Sequence, residues 1–261
     1  MEGLALSLAS EEVARIGSFE IRNTLLMAWL AMGALFAFAF AVRRTKMQLA
    51  PSRFQTLVEA VIGGLYDLFS GVVQDERLSK RCFPVVTTIC IFVVMGNWMG
   101  ILPGVGSIFV LLHGEEVPLF RSMNADVNMT LSLATIAMLS VQIYGVWELG
   151  FFSYASKFIV APWHPVLAFV GFLELISEFS KVISFTFRLF GNIFAGEVLL
   201  VVISFLVPYV APLPFLGMEL FVGLIQGFVF ALLTTVFLRM AATAHHEHEE
   251  EQHAIEAAPA V

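Results

Sequence analysis

Four stretches of this chain, residues 24–42, 82–102, 129–147 and 215–240, are almost free of charge. Each is close to the roughly 20 apolar residues that a helix needs to cross the hydrocarbon core of a bilayer. The last carries Glu219 and Gln226 and ends near Arg239; the other three hold no Asp, Glu, Lys or Arg. No water-soluble fold of 261 residues has enough interior to hide four such runs when 59 % of the chain is hydrophobic and only 13 % is charged. The expectation is an all-α integral membrane protein.

Residues 164–207 form a fifth apolar segment of a different kind. Read as one helix of about 44 residues, it would be roughly 66 Å long, about twice the hydrocarbon thickness. Such a helix has to tilt steeply, kink or protrude. Residues 54–73 differ again. Gln55, Glu59, Asp67, Ser70 and Gln74 recur along one side, while Leu57, Val58, Val61, Ile62, Leu65, Leu68, Phe69 and Val72 fill the other. That pattern predicts an amphipathic helix lying in the membrane interface. The expected architecture is therefore five spanning helices plus one interfacial helix.

Lysine and arginine placement sets the expected orientation. With the N-terminus outside, Arg43, Arg44, Lys46, Arg53, Arg77, Lys80, Arg81 and Lys157 all face the cytoplasm, with Arg239 at that interface. Only Arg15, Arg22 and Arg121 face outward. The chain divides into an outside segment (1–23), a membrane domain (24–243) and a disordered cytoplasmic tail (244–261). Residues 103–126 read as an outward loop with Gly104, Gly106, Gly114 and Pro118 as turn formers. The first 18 residues are acidic and mixed, without the basic start and apolar core of a cleavable signal, so the spans are expected to direct insertion.

Several features carry no chemistry of their own. Cys82 and Cys90 lie in an apolar run without metal-ligand spacing and read as small buried hydrophobes. In the tail run HHEHEEEQH the acids interrupt the histidines, and a solvated tail is expected rather than a metal site. No metal, cofactor or nucleotide-binding fingerprint is expected. The 14 Lys and Arg are spread along the chain, which argues against a nucleic-acid surface.

The charges inside the apolar segments point to function, because an ionisable side chain at mid-membrane costs several kcal/mol. In the long segment Glu174, Lys181, Arg188 and Asn192 step by seven, seven and four residues. On a helix they fall within roughly 40° of one another, with Ser177 and Ser184 beside them. Glu197, nine residues after Arg188, lies on the opposite side. Glu219 and Gln226 share a face of the final helix. The turn at 208–214 folds the two helices into an antiparallel hairpin, with Glu197 level with Glu219 and Arg188 level with Gln226. Lys181 has helical neighbours, Glu174 and Glu178, that could hold it in a structural pair. Arg188 has no acid three or four residues away, so its counter-charge has to come from another helix or another chain.

The run SFTFRLFGNIFAGEVLL at 184–200 resembles the signature of subunit a of F-type ATP synthases, Arg-Leu-Phe-Gly-Asn followed by Ala-Gly-Glu. GNWMGILPG at 96–104 is similar to that family's Asn-x-x-Gly-Leu-Leu-Pro-Gly stretch, and ADVNMTLSLA at 125–134 to its Ala-Asp-x-Asn-x-Thr segment. The glutamine in GLIQGFVFALLTTVFL at 223–238 matches as well. Four blocks in the family's order cover over half of the chain.

The resemblance implies a proton-translocating subunit, not itself an enzyme, in a bacterial-type inner membrane. Its partners would be a ring of c subunits, peripheral-stalk b subunits and other ATP synthase subunits, with the hairpin facing the ring. Arg188 would correspond to the arginine that faces the ring carboxylates and separates two half-channels. Asn192 and Gln226 would be the polar residues beside it. Glu197 and Glu219 would line the outer half-channel, and Glu174, Lys181 and Ser184 the cytoplasmic one. Asp126 would sit at the outer mouth. Relatives commonly carry a histidine at one of the Glu197 and Glu219 positions; two close glutamates would instead share a proton. Two other classes fit an apolar chain of this kind. A secondary ion transporter would call for short, interrupted helices in two related halves, and no repeat is visible. A structural scaffold would tolerate neutral replacement of Glu197 and Glu219.

Overall fold

The computed structural model describes residues 10–16, 19–44, 52–106, 108–112, 115–156, 158 and 165–256. Lys46, Lys157 and His164 lie outside the described residues, as do the side chains of the tail run from His245 onward. Among the described residues six helices are long and apolar enough to cross a membrane, and the chain is an all-α membrane protein with short β-hairpins between the helices.

Residues 10–22, expected only as an outside segment, contain an antiparallel hairpin of β1 (Glu12–Ile16) and β2 (Phe19–Arg22). It leads directly into α1 (Asn23–Arg44). Asn23 opens this helix: its side-chain oxygen accepts from the Thr24 amide at 2.9 Å, and its amide donates to the Pro118 carbonyl at 3.3 Å. Arg43 and Arg44 close the helix, where cations favour the carbonyl end of the dipole.

α2 (Arg53–Val73) is capped by Ser52, whose hydroxyl accepts from the Gln55 amide. At the far end Gln74 turns left-handed with φ 60° and donates its amide to the Ser70 carbonyl, a regular helix stop. Leu65, Phe69 and Val73, four residues apart, are its buried stripe, while Phe54, Leu57, Val61 and Leu68 are exposed. In length and hydropathy α2 also meets the requirement for a span.

α3 (Glu76–Gly100) starts six residues before the apolar run that announced it, because Asp75 accepts from the Arg77 and Leu78 amides. Residues 103–126, expected as a plain loop, hold β3 (Pro103–Gly106), a hairpin of β4 (Phe109–Leu112) and β5 (Glu115–Pro118), and a 3-10 turn at Met123–Ala125. α4 (Val127–Leu149) follows and ends at Gly150, which has φ 83°. A short α5 (Phe151–Ser156) buries Tyr154 against Gly145.

The long segment is one helix, α6 (Pro165–Leu206), of 42 residues. Proline fits the first helical turn, where its missing amide costs no hydrogen bond, and this sets the start one residue later than expected. Leu206 is the last helical residue before Pro208. The turn passes through Tyr209 at φ 87° into α7 (Pro212–Glu256), whose apolar portion is Pro212–Ala242. The α7 backbone carries on through the acidic, His-rich run to Glu256.

Successive contacts prove the α6–α7 pair antiparallel. Moving back along α6 from the turn, Gly196 meets Glu219, Asn192 meets Gln226, Phe185 stacks edge-on against Phe230 at 4.7 Å, and Lys181 reaches Phe237. One stripe of α6, Phe185, Leu189 and Ile193, is buried in the core with Cys82, Cys90, Val93, Ala134, Ala137 and Phe230. Its other side, from Phe169 through Phe179 to Phe187, is exposed and apolar.

Close packing between α3 and α7 depends on two glycines one turn apart. A Cβ on Gly227 would lie 2.3 Å from a Val94 methyl, and one on Gly223 would lie 3.0 Å from the Asn97 Cβ. Small residues at this spacing let helix backbones approach, as is common where lipid surrounds the bundle. Gly227→Leu should force α3 and α7 apart and cost about 1–3 kcal/mol of overpacking. A lower thermal midpoint of the detergent-solubilised protein, with less subunit retained in membranes, is the expected readout.

Candidate proton-translocation site

The α6–α7 hairpin carries two polar layers at different distances from its turn. Nearer the turn lie Glu197 and Glu219. About one and a half helical turns deeper on α6 lies Asn192, and about two turns deeper on α7 lies Gln226, with Arg188 one turn beyond Asn192 along α6.

In the deeper layer the Asn192 amide donates to the Gln226 side-chain oxygen at 2.7 Å, bridging the two helices. Gln226 is 5 % exposed, and its own amide nitrogen has no hydrogen-bond partner among the described residues. Arg188 is half-buried. Its guanidinium donates to the Ser184 hydroxyl at 3.4 Å and lies 5.7 Å from the centre of the Phe185 ring. No described carboxylate pairs with it. Ser184, Gly191, Asn192 and Ala195 around it are exposed, and a Cβ added at Gly191 would meet nothing within 4 Å. The arginine thus stands on an open, narrow strip of small side chains.

Nearer the turn, the two glutamates have unlike surroundings. Glu219 is 8 % exposed; it packs against Gly196, where an added Cβ would fall 2.8 Å from its Oε1, and its Oε2 has no partner among the described residues. Glu197 meets a cation that sequence reasoning left in the outward loop. The Arg121 Nε donates to Glu197 Oε1 at 3.2 Å and an Arg121 terminal nitrogen donates to Oε2 at 3.3 Å. A two-point fork of this kind fixes geometry as well as charge. Of the two glutamates, Glu197 is the one held by this described cation.

Arg121 is placed by the segment that follows it. Gly96 and Gly100 of α3 leave a groove in which Ser122 and Met123 lie; a Cβ on Gly100 would sit 2.6 Å from the Ser122 hydroxyl oxygen. Asn97, between those glycines, accepts from the Asn124 amide at 2.6 Å and donates to the Gly223 carbonyl at 2.9 Å. The GNWMG block thus ties α3, the Arg121 segment and α7 together. The only sequence signal for Arg121 was its exception to the lysine and arginine bias.

The remaining expected site residues are distributed as follows. Asp126 is the N-cap of α4, accepting from the Asn128 amide at 2.8 Å, and its other oxygen accepts from Ser10 at 2.6 Å and Thr24 at 3.1 Å. It pins the N-terminal strand segment and α1 to α4. Lys181 adopts the structural pairing: it donates to Glu178 at 2.8 Å, and Glu178 also accepts from Gln142 of α4 at 2.9 Å. Tyr154 completes the cluster by donating to Gln142. Glu174 lies one turn beyond, half-buried. Among the described residues no three His, Cys, Asp or Glu side chains gather as a metal site.

Comparison with known proteins decides what kind of bundle this is. Residues 25–239 match the family model of the ATP synthase A chain. The chain belongs to that family. It is 35 % identical to ATP synthase subunit a of Campylobacter concisus over 79 % of this chain and 85 % of the relative. Against the subunit a of Helicobacter pylori it is 31 % identical over 89 % of this chain and 91 % of the relative. As an ATP synthase A chain it is a multi-pass proton-translocating membrane subunit that works with the other synthase subunits, and nucleotide chemistry resides on those.

The Asp126 cap has a direct consequence for stability in this family member. Asp126→Ala removes the α4 cap and leaves Ser10 and Thr24 without their acceptor, which should cost about 1–2 kcal/mol. Thermal unfolding of the purified complex, followed by loss of subunit a from it, is the measurement.

Proposed function

We propose that this A chain forms two offset half-channels that load and unload carboxylates on a ring of c subunits, with Arg188 as the electrostatic barrier between them. The observation that carries the reading is the open strip around Arg188. A permanently charged guanidinium stands there without a described carboxylate, on a helix whose neighbouring side chains are small enough for another helix to come close. A ring of helices, each with a membrane-embedded carboxylate, supplies both the counter-charge and the apolar surface for the exposed flank of α6.

In this reading Asn192 and Gln226 line the arginine layer. Glu197 and Glu219 belong to the outer half-channel, with Asp126 at its mouth, and Glu174, Lys181 and Ser184 to the cytoplasmic half. The N-terminus faces outward and the C-terminus the cytoplasm of a bacterial-type inner membrane, which puts most Lys and Arg inside. The interfacial α2, the peripheral-stalk b subunits and a solvated tail from 244 onward complete the expected arrangement.

The physics follows from the side-chain chemistry. Arginine does not release its proton at relevant pH. It can therefore attract an ionised ring carboxylate and strip its proton towards one side without conducting a proton itself. A proton arriving from outside has to travel on the ring to reach the inner half-channel. Each elementary charge crossing the membrane releases about 2.3 kcal/mol per 100 mV, which is available to drive rotation.

Arg188→Ala should leave the complex assembled while ATP-coupled proton pumping falls to background. Pumping is read by quenching of an acridine dye in inverted vesicles, and assembly by co-purification of the c subunit. Wild-type pumping in the assembled variant would overturn the proposal.

A further inference from the structure

Lys181 and Arg188 are seven residues apart on α6, about 10 Å along one stripe, yet their side chains end in different surroundings. Arg188 stands on the open strip of Ser184, Gly191, Asn192 and Ala195. Lys181 turns inward. Its ammonium donates to Glu178 at 2.8 Å and lies 5.0 Å from the centre of the Phe237 ring on α7, and its side chain is only 17 % exposed.

The hold on this pair comes from α4. The Gln142 amide nitrogen donates to the second Glu178 oxygen at 2.9 Å, so the carboxylate is gripped at both oxygens. The Gln142 side-chain oxygen in turn accepts from the Tyr154 phenol. That contact decides which way the amide points: with its oxygen on a hydroxyl donor, its nitrogen is left for the carboxylate. Tyr154 belongs to the short α5, outside the spans, and is itself seated; a Cβ on Gly145 would lie 2.5 Å from its ring. Burial pushes its phenol up to about 12, with Glu178 and Glu174 adding to the effect, so the hydroxyl stays a donor.

We propose that Gln142 is a positioning residue that, through Glu178, keeps the Lys181 ammonium in the seam of α4, α6 and α7 and off the strip where Arg188 stands. This rests on the ring-facing reading of that strip given above. Lysine carries a compact charge on a flexible four-carbon stem, so a released ammonium can swing onto the stripe it shares with Arg188. A ring carboxylate leaving Arg188 on the cytoplasmic side would then meet a second cation and be caught there as an ion pair. With Lys181 held inward, each ring carboxylate meets one cation per passage.

The test is carbodiimide coupling in the whole complex in vesicles, which joins an amine to a carboxylate that touches it; the products are mapped by mass spectrometry. In the wild type Lys181 should couple to Glu178. In Gln142→Leu, which removes the amide and keeps the bulk, an amide between Lys181 and the c subunit should rise at least fivefold over wild type. ATP-driven pumping per co-purified c subunit should fall at least fivefold in the same variant. Adding Lys181→Met should remove that amide and raise pumping at least threefold over Gln142→Leu, which a merely loosened bundle would not do. Glu178→Gln releases the lysine by a second route and should give the same adduct, so the result stands even if Gln142→Leu assembles poorly. No gain of adduct in either variant, or a double variant no faster than Gln142→Leu, would overturn the assignment. Arg188→Ala is run beside them: pumping at the wild-type rate there would instead overturn the ring-facing reading, so the two failures are distinguishable.

Discussion

Everything in this bundle is arranged around the cost of holding charge and hydrogen-bonding groups where water is scarce. That cost is several kcal/mol for an unpaired ion near mid-membrane. The chain meets it by pairing polar groups across helices. Asn192 joins α6 to α7, Asn97 joins α3 to α7 and to the Arg121 segment, and Gln142 joins α4 to Glu178 of α6. Each bridge also sets a register, so the polar residues act as alignment points in an otherwise apolar, slippery interface. Arg188 stands outside this scheme: no described carboxylate pairs with it, and its described hydrogen bond is to Ser184 of its own helix.

The packing that supports these bridges uses small residues. Gly223 and Gly227 bring α7 against α3, Gly96 and Gly100 seat Ser122 and Met123, and Gly196 admits Glu219. The sequence blocks that resemble the ATP synthase family are therefore intelligible as geometry. The glycines admit a neighbour's backbone or carboxylate, and the asparagine between them hydrogen-bonds to what has been admitted.

Much of this was legible in the sequence because helices have a fixed rise and period. The long α6, the hairpin, the level of Glu197 with Glu219 and the separation of the Arg188 and Glu197 faces all follow from counting residues. What escaped was pairing that has no period. Arg121 and Glu197 are 76 residues apart, and nothing local announces their contact. Lys181 had two candidate acids at helical spacing, and Gln142 from another helix orients the one it takes. Strands of four or five residues in the hairpins are too short to alternate visibly among turn formers. Asp126 did carry a local signal, an acid directly before an apolar run, which marks a helix start.

The Arg121 fork also fixes an order in which the bundle can be completed. Arg121 and its seat on α3 are synthesised first, whereas Glu197 and Glu219 arrive only with the last two helices. A chain caught midway through insertion holds the cation and none of the hairpin acids. The α3 side of the contact is therefore built before its acid exists, and the fork can close only once α6 packs against that side.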